Sequence, residues 1–380
     1  MGARVLLHVG TPKTATTFFQ DILFRHRLVL AERGVHYPGA TVDMQFRASL
    51  DLIRREWGGL EDEVVGDWDA LAAEVRSESG THIVSCEILA GATPEQARRA
   101  LSSFGDAEIH LVLTVRDLFR QIPAEWQETV KHFGTETYAD FLAAIRTRSG
   151  RSADLFWGVQ DLSGILERWA GDLPPERVHL VTLPPRGTDP SVLWKRLETA
   201  FGLDGFGLPS ASDRANESMG ANATSFVRGL NEQTPAFLSK PEYRWLVMEF
   251  LSHRTLAQRK GKRRISVPPG DVPWVAALSA GWVDQLRGAG YDVVGELEEL
   301  LGEAPVDFVD PDRPDPERVA SIATNATLAL LEEAGRLMRE RDALRAEVEQ
   351  LREVAGVRNA VRGVSRRVYR RVRGSSSRRA

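Results

Sequence analysis

The chain has 380 residues, 42% of them hydrophobic, enough for one large α/β domain with appendages or for two smaller domains. Its single cysteine, Cys86, excludes an intrachain disulfide, which favours a reducing compartment, and no uninterrupted apolar run approaches bilayer-spanning length. The net charge of −4 conceals an asymmetry: residues 358–380 hold nine arginines and no acid, while the rest carries 40 basic against 53 acidic residues, a body of −13 that argues against general nucleic-acid binding.

The first element is an apolar run, Val5 to Val9, that reads as a buried strand. It stops at Gly10, turns through Thr11 and Pro12, and feeds a helix-compatible stretch from Thr16 to Leu30. Lys13, Thr14, Thr16 and Thr17 crowd the junction. A helix N-terminus presents unpaired backbone N–H groups and the positive end of its dipole, so lysine and hydroxyls placed there suit a phosphate. The Walker pattern needs four residues between its glycine and a Gly-Lys-[Ser/Thr] end, whereas only Thr11 and Pro12 separate Gly10 from Lys13. That spacing sets aside a P-loop kinase, a reading that ATP turnover would revive. An ordinary strand-turn-helix with a solvated lysine is the plain alternative.

The segment from 34 to 80 reads as a loop at Gly34–Gly39 followed by an amphipathic helix over Trp68–Arg76. His82–Glu87 is a second strand, ending in Ser85 and Glu87, and Thr93-Pro94 opens a helix as N-cap and first residue. A third strand, Ile109–Val115, runs into Arg116-Asp117, and the next helix carries Arg120, Trp126, Lys131 and His132. Further elements follow at Asp161–Ala170, Val178–Leu183 (a strand), Leu193–Phe201, Asn216–Asn231, Glu242–Leu256, Trp274–Gly290 and Glu296–Leu301. Alternation of strand and helix predicts an α/β fold with a parallel sheet covered on both faces. Ligands bind such sheets beyond the carboxyl ends of the strands, where Gly10–Thr17, Ser85–Glu87 and Arg116–Asp117 all fall.

Residues 1–308 are expected to form this domain and the proline-rich 309–316 to be a linker. In 317–356, Leu330, Leu337, Leu344 and Leu351 recur every seven residues with Ala334 and Val348 on the alternate seam, a coiled-coil signature interrupted by Arg341 that suits homo-oligomerisation. In 357–380 valines and arginines segregate to opposite helical faces, a pattern that fits an anionic membrane surface or a solvated tail. The first residues lack the layout of a secretory signal, so the expected location is the cytoplasm, peripheral at the inner membrane surface.

The run Thr11-Pro12-Lys13-Thr14-Ala15-Thr16-Thr17 closely resembles the 5′-phosphosulfate loop of sulfotransferases that use 3′-phosphoadenylyl sulfate (PAPS), and Arg116 resembles the arginine of their 3′-phosphate motif. Gln160-Asp-Leu162, Arg168-Trp169, Arg214–Glu217 and Gly290–Gly295 are similar to the bacterial carbohydrate-type branch of that family. The resemblance covers residues 4–302 and implies a P-loop-like three-layer α/β/α fold. It implies transfer of a sulfuryl group to a hydroxyl or amine of a carbohydrate, glycolipid or small-molecule acceptor, with no metal. Gly10 to Thr17 and Arg116 would bind the donor, Lys13 would neutralise the leaving oxygen, and Glu87 would be the general base with His132 second. Arg259 in Arg259-Lys260-Gly261 matches the family's late 3′-phosphate loop. Two positions depart: the usual loop glycine is Ala15, a change expected to be mild in a helical conformation, and the serine eight residues beyond Arg116 is Ala124. A non-catalytic interaction protein on the same fold, working through the coiled coil and the arginine segment, is the competing reading. His8 is expected to be a satisfied core residue, and Trp126, Trp157 and Trp169 to pack the core rather than wall a pocket.

Overall fold

The computed structural model describes residues 2–209, 218–233 and 238–375, with side chains described as far as 352. Arg214–Glu217 and the last five residues lie outside the described residues, as do the side chains on which an amphipathic reading of 357–380 rests.

Six strands form one parallel sheet: β1 (Arg4–His8), β2 (Val35–His36), β3 (Thr81–Ser85), β4 (Glu108–Val115), β5 (Val178–Thr182) and β6 (Asp292–Val294). Their order is β2-β3-β1-β4-β5-β6, so β1 lies between the strands that end in Ser85 and Val115. The helices are α1 (Thr16–Arg25), α2 (Arg27–Ala31), α3 (Met44–Ile53), α4 (Asp67–Ser77), α5 (Pro94–Ser103), α6 (Leu118–Lys131), α7 (Tyr138–Thr147), α8 (Arg151–Gln160), α9 (Leu162–Ala170), α10 (Pro190–Ala200), α11 (Ala221–Gln233), α12 (Lys240–Tyr243), α13 (Val272–Arg287) and α14 (Pro316–Ser375). A π-helical segment, Arg244–Leu256, continues from α12 where a plain α-helix is predicted.

Strand side chains alternate between faces, and the two faces receive different helices. Leu6, Ile83, Val112 and Val181 pack against Phe19, Ile22 and Leu23 of α1 and Trp194 and Leu197 of α10. Their neighbours Val5, Leu7, Val84, Leu111 and Leu113 are equally buried on the opposite face. The architecture is therefore α/β, with helices on both sides of a parallel sheet.

Helix ends follow their predicted chemistry where it is local. Thr93 and Gln96 form a reciprocal capping box on α5, with Pro94 at its first position. Asp117 caps α6 by accepting from the Arg120 backbone N–H at 2.9 Å. The predicted helix 16–30 instead breaks at His26, and the redirected α2 buries Leu30 in the core.

The 309–316 stretch is not a free linker. The Asp312 carboxylate accepts from the backbone N–H groups of Tyr138 and Ala139, both at 2.9 Å, and so caps α7 from 174 residues away in sequence. Asp315 N–H donates to Asn222 Oδ1 at 3.1 Å. One compact unit accordingly runs to Ile322, beyond the expected boundary at 308, and residues 323–380 form the second. Asp312→Ala is expected to cost about 1–2 kcal/mol, from two lost bonds to a charged acceptor at a helix N-terminus. Urea denaturation of the full chain checks this, and an unchanged midpoint would show the stretch to be dispensable.

Candidate functional site

The loop after β1 is held from both sides. Thr11 N–H donates to Thr114 O at 2.7 Å and Thr114 N–H to Gly10 O at 2.8 Å, which ties the turn to β4. On the β3 side, Gly10 sits at φ 106°, and a Cβ there would lie 2.9 Å from the carbonyl oxygen of Glu87. Only glycine combines that backbone angle with that approach. Gly10–Thr17, Glu87 and Arg116 therefore meet at adjacent strand ends, as their order along the chain predicts.

Lys13 (φ 64°) and Ala15 (φ 66°) both adopt left-handed backbone. Ala15 is the residue preceding α1 and is not helical, so the expected mildness of alanine there is corrected. A Cβ in this region costs about 1 kcal/mol that glycine avoids. The Ala15 side chain has no group to cap α1, so the helix opens on the loop without an N-cap hydrogen bond from that position.

The Lys13 ammonium is ion-paired with Glu128 on α6. Glu128 also accepts from Lys131 Nζ at 3.2 Å and from His132 Nε2 at 3.2 Å. Burial works against this carboxylate, yet Lys13, Lys131 and His132 hold it well below the usual range. Burial likewise pulls Lys13 down, but Glu128, Glu125 and Glu87 outweigh it and leave the ammonium above its ordinary value. His132 thus joins the Lys13 cluster through Glu128, and its ring stands edge-on to Trp57 with the ring centroids 4.6 Å apart.

Thr14 is placed in the loop, but its hydroxyl turns inward. It donates to Thr11 O at 2.5 Å or pairs with Thr114 Oγ1 at 2.5 Å, bonds that hold the loop to β4. From Thr114 a buried polar chain runs across the sheet. His8 Nε2 meets Thr114 Oγ1 at 3.0 Å, and His8 Nδ1 meets Ser85 Oγ at 2.8 Å. Gln20 Nε2 then donates to Ser85 O at 3.0 Å and to Glu87 Oε2 at 3.1 Å. His8 is the satisfied core residue expected, and burial takes its pKa down to about 3, leaving the ring neutral.

Arg116 donates to the Lys13 carbonyl at 3.0 Å and to Arg120 O, while its Nε is buried with no partner. Burial and then Arg120 lower its pKa to about 10. Arg186, lowered by burial and then by Arg264 and Arg120, completes a cationic group at the ends of β4 and β5. Arg259 lines, with Lys260, Lys262, Arg263 and Arg318, a cleft of about 90 Å³ beside the start of α11.

Several contributors escape sequence reading. Gln45 is buried in α3, and its Oε1 accepts from Ser85 N–H at 2.7 Å, fixing the end of β3. Burial pushes the Glu125 carboxyl up, with Glu128 adding to it, and Gln160 Nε2 donates to Glu125 Oε1 at 3.1 Å. His253, on the π-helical segment, falls to about 4 through burial and then Lys131. No pattern in the sequence marks this position, because the π-helical winding shows only in the structure. The three tryptophans are buried as expected: Trp126 bonds Glu136 O at 3.2 Å, Trp157 bonds Ile145 O at 2.8 Å and Trp169 bonds Leu89 O at 3.2 Å. Arg168 donates to Ala90 O at 2.8 Å and Gly158 O at 2.9 Å, a bracing role.

The arrangement offers an uncapped helix N-terminus, one lysine, an arginine with a free buried N–H and carboxylates at the rim. That chemistry can hold an anion and accept a proton. No family model, curated protein or solved structure matches the chain.

Proposed function

We propose that the chain is a sulfotransferase on a P-loop-like fold, moving a sulfuryl group from 3′-phosphoadenylyl sulfate to a hydroxyl or amine of a carbohydrate, glycolipid or small-molecule acceptor. The observation that carries this reading is the position of the Thr11–Thr17 loop. The residues that resemble a phosphosulfate loop open an uncapped helix at the end of a central strand, with the Arg116 guanidinium on the loop's own backbone. The orphaned Arg116 Nε and the positive end of α1, whose N-cap Ala15 has no capping side chain, fit a polyanionic nucleotide.

Bound there, the donor supplies an activated sulfuryl group. Lys13 neutralises charge next to that group, the N–H groups at the start of α1 hold a 5′-phosphate, and Arg116 faces a 3′-phosphate. Glu87, braced by Gln20, takes the acceptor's proton in our assignment, with His132 as second choice and Glu125, whose carboxyl is raised, as a third. Positioning and charge neutralisation carry most of the rate in such transfers. The reading assigns no metal. Among the described residues no helix is long and apolar enough to cross a membrane. We place the protein in the cytoplasm, with 357–380 against an anionic membrane surface.

Adding 3′-phosphoadenosine 5′-phosphate should raise the melting temperature. Saturation at about 100 times Kd contributes about 2.7 kcal/mol, a shift of several degrees. An unchanged Tm at millimolar nucleotide overturns the donor site. The competing interaction-protein reading draws on Glu128, which occupies Lys13, and on the inward Thr14 hydroxyl. Transfer of labelled sulfate by the full chain would dispose of it.

A further inference from the structure

We infer that residues 327–352 of α14 pair with the same segment of a second copy of this chain, as a parallel, in-register, two-stranded coiled coil. The segment is one uninterrupted helix. Leu330, Leu337, Leu344 and Leu351 fall on a single stripe and are 37%, 38%, 55% and 62% exposed. Beside them on the same face lie Thr327, Ala334, Arg341 and Val348, three residues before each leucine. A seven-residue repeat of this kind winds two helices together along the stripe, and leucine at the second seam position with a β-branched residue at the first favours two strands.

Charge chooses the partner and the direction. The flanking position just before the first seam carries Glu333, Glu340 and Glu347, and the position just after the leucines carries Leu331, Met338, Arg345 and Arg352. In a parallel pair each residue of the first row meets the residue five positions later on the other helix. Glu340 then faces the second copy's Arg345, and Glu347 its Arg352, twice over by symmetry. An antiparallel pair would set glutamates against glutamates and arginines against arginines, which disfavours it. Within its own helix Glu340 accepts from Arg336 at 2.8 Å, but an exposed pair of that spacing is worth only a few tenths of a kcal/mol and does not compete with burial of the leucine stripe. Arg341 sits in the seam, where a polar residue lowers affinity and penalises other registers. A parallel pair also brings the two segments of nine arginines, 358–380, to the same end, doubling the charge offered to an anionic surface.

Light scattering on the full chain should return twice the 42.2 kDa of one copy. Leu337→Asp with Leu344→Asp should return the single mass, and a monomeric wild type overturns the proposal. A charge test leaves the leucines intact. Glu340→Arg with Glu347→Arg, and separately Arg345→Glu with Arg352→Glu, should each dissociate at least about tenfold more readily in low salt. The two variants mixed should recover wild-type affinity, and variants that dimerise like the wild type overturn the assigned pairing. Leu330→Cys and Leu351→Cys, made singly, should each cross-link to the same residue of the second copy on mild oxidation, because Cys86 is buried and does not compete. Failure of both to cross-link in a protein that is still a dimer overturns the parallel register.

Discussion

Lys13→Ala is expected to remove the nucleotide-dependent rise in Tm and to lower sulfuryl transfer by about 10²- to 10³-fold, the cost typical of deleting one group that stabilises charge in the transition state. The fold should survive. Glu128 keeps Lys131 and His132, each at 3.2 Å, so the variant does not strand a buried carboxylate. Lys13 without ligand is committed to Glu128, and an incoming anion must take the ammonium away from that carboxylate. Glu128→Gln should therefore act in the opposite direction on binding: it releases Lys13 and removes a negative charge from an anion site. Titration calorimetry with 3′-phosphoadenosine 5′-phosphate should find tighter binding to Glu128→Gln than to the wild type, and none resolvable to Lys13→Ala. Equal affinity of all three proteins would show that the loop is a structural turn and that Lys13 serves only the ion pair.

Contiguous patterns made most of the sheet legible. The runs at β1, β3, β4 and β5 are apolar and five to eight residues long, and each is found within a residue or two of its prediction. β2 and β6 are two and three residues long, too short to hold a period, and they exist because Val35 and Val293 pair with strands already formed. α3 was missed because Gln45, Ser49 and Asp51 read as polar yet lie buried, each bonded to backbone. The site shows the same division. Its strand-end residues were visible because they are local. Glu125, His253 and Arg186 were not, since what matters in them is which charges lie across the fold. Asp312 is the sharpest case: in a proline-rich stretch it reads as linker, while its carboxylate caps a helix 174 residues away.

Stability should fall steeply as the pH drops below about 6.5, and His8 should account for much of the fall. Its folded pKa is about 3, against about 6.5 in an unfolded chain. The unfolded state therefore binds the proton first, and the contribution of neutral His8 is full above pH 6.5 and lost on acidification. The slope is about 1.4 kcal/mol per pH unit, or about 2 kcal/mol by pH 5. His253, lowered to about 4, adds a loss of the same sign and narrower range. Protonating His8 would also turn its one accepting nitrogen into a donor, so the hydroxyl that faces it, Ser85 or Thr114, must rotate to accept, which disturbs the network that holds Thr14 and the loop. His8→Gln should start less stable at pH 7.5, because the amide cannot span both partners, and should then lose stability more slowly between pH 6.5 and 5. Urea midpoints across that range measure both slopes. Parallel curves would place the acid sensitivity outside the sheet and leave His8 as a packing residue alone.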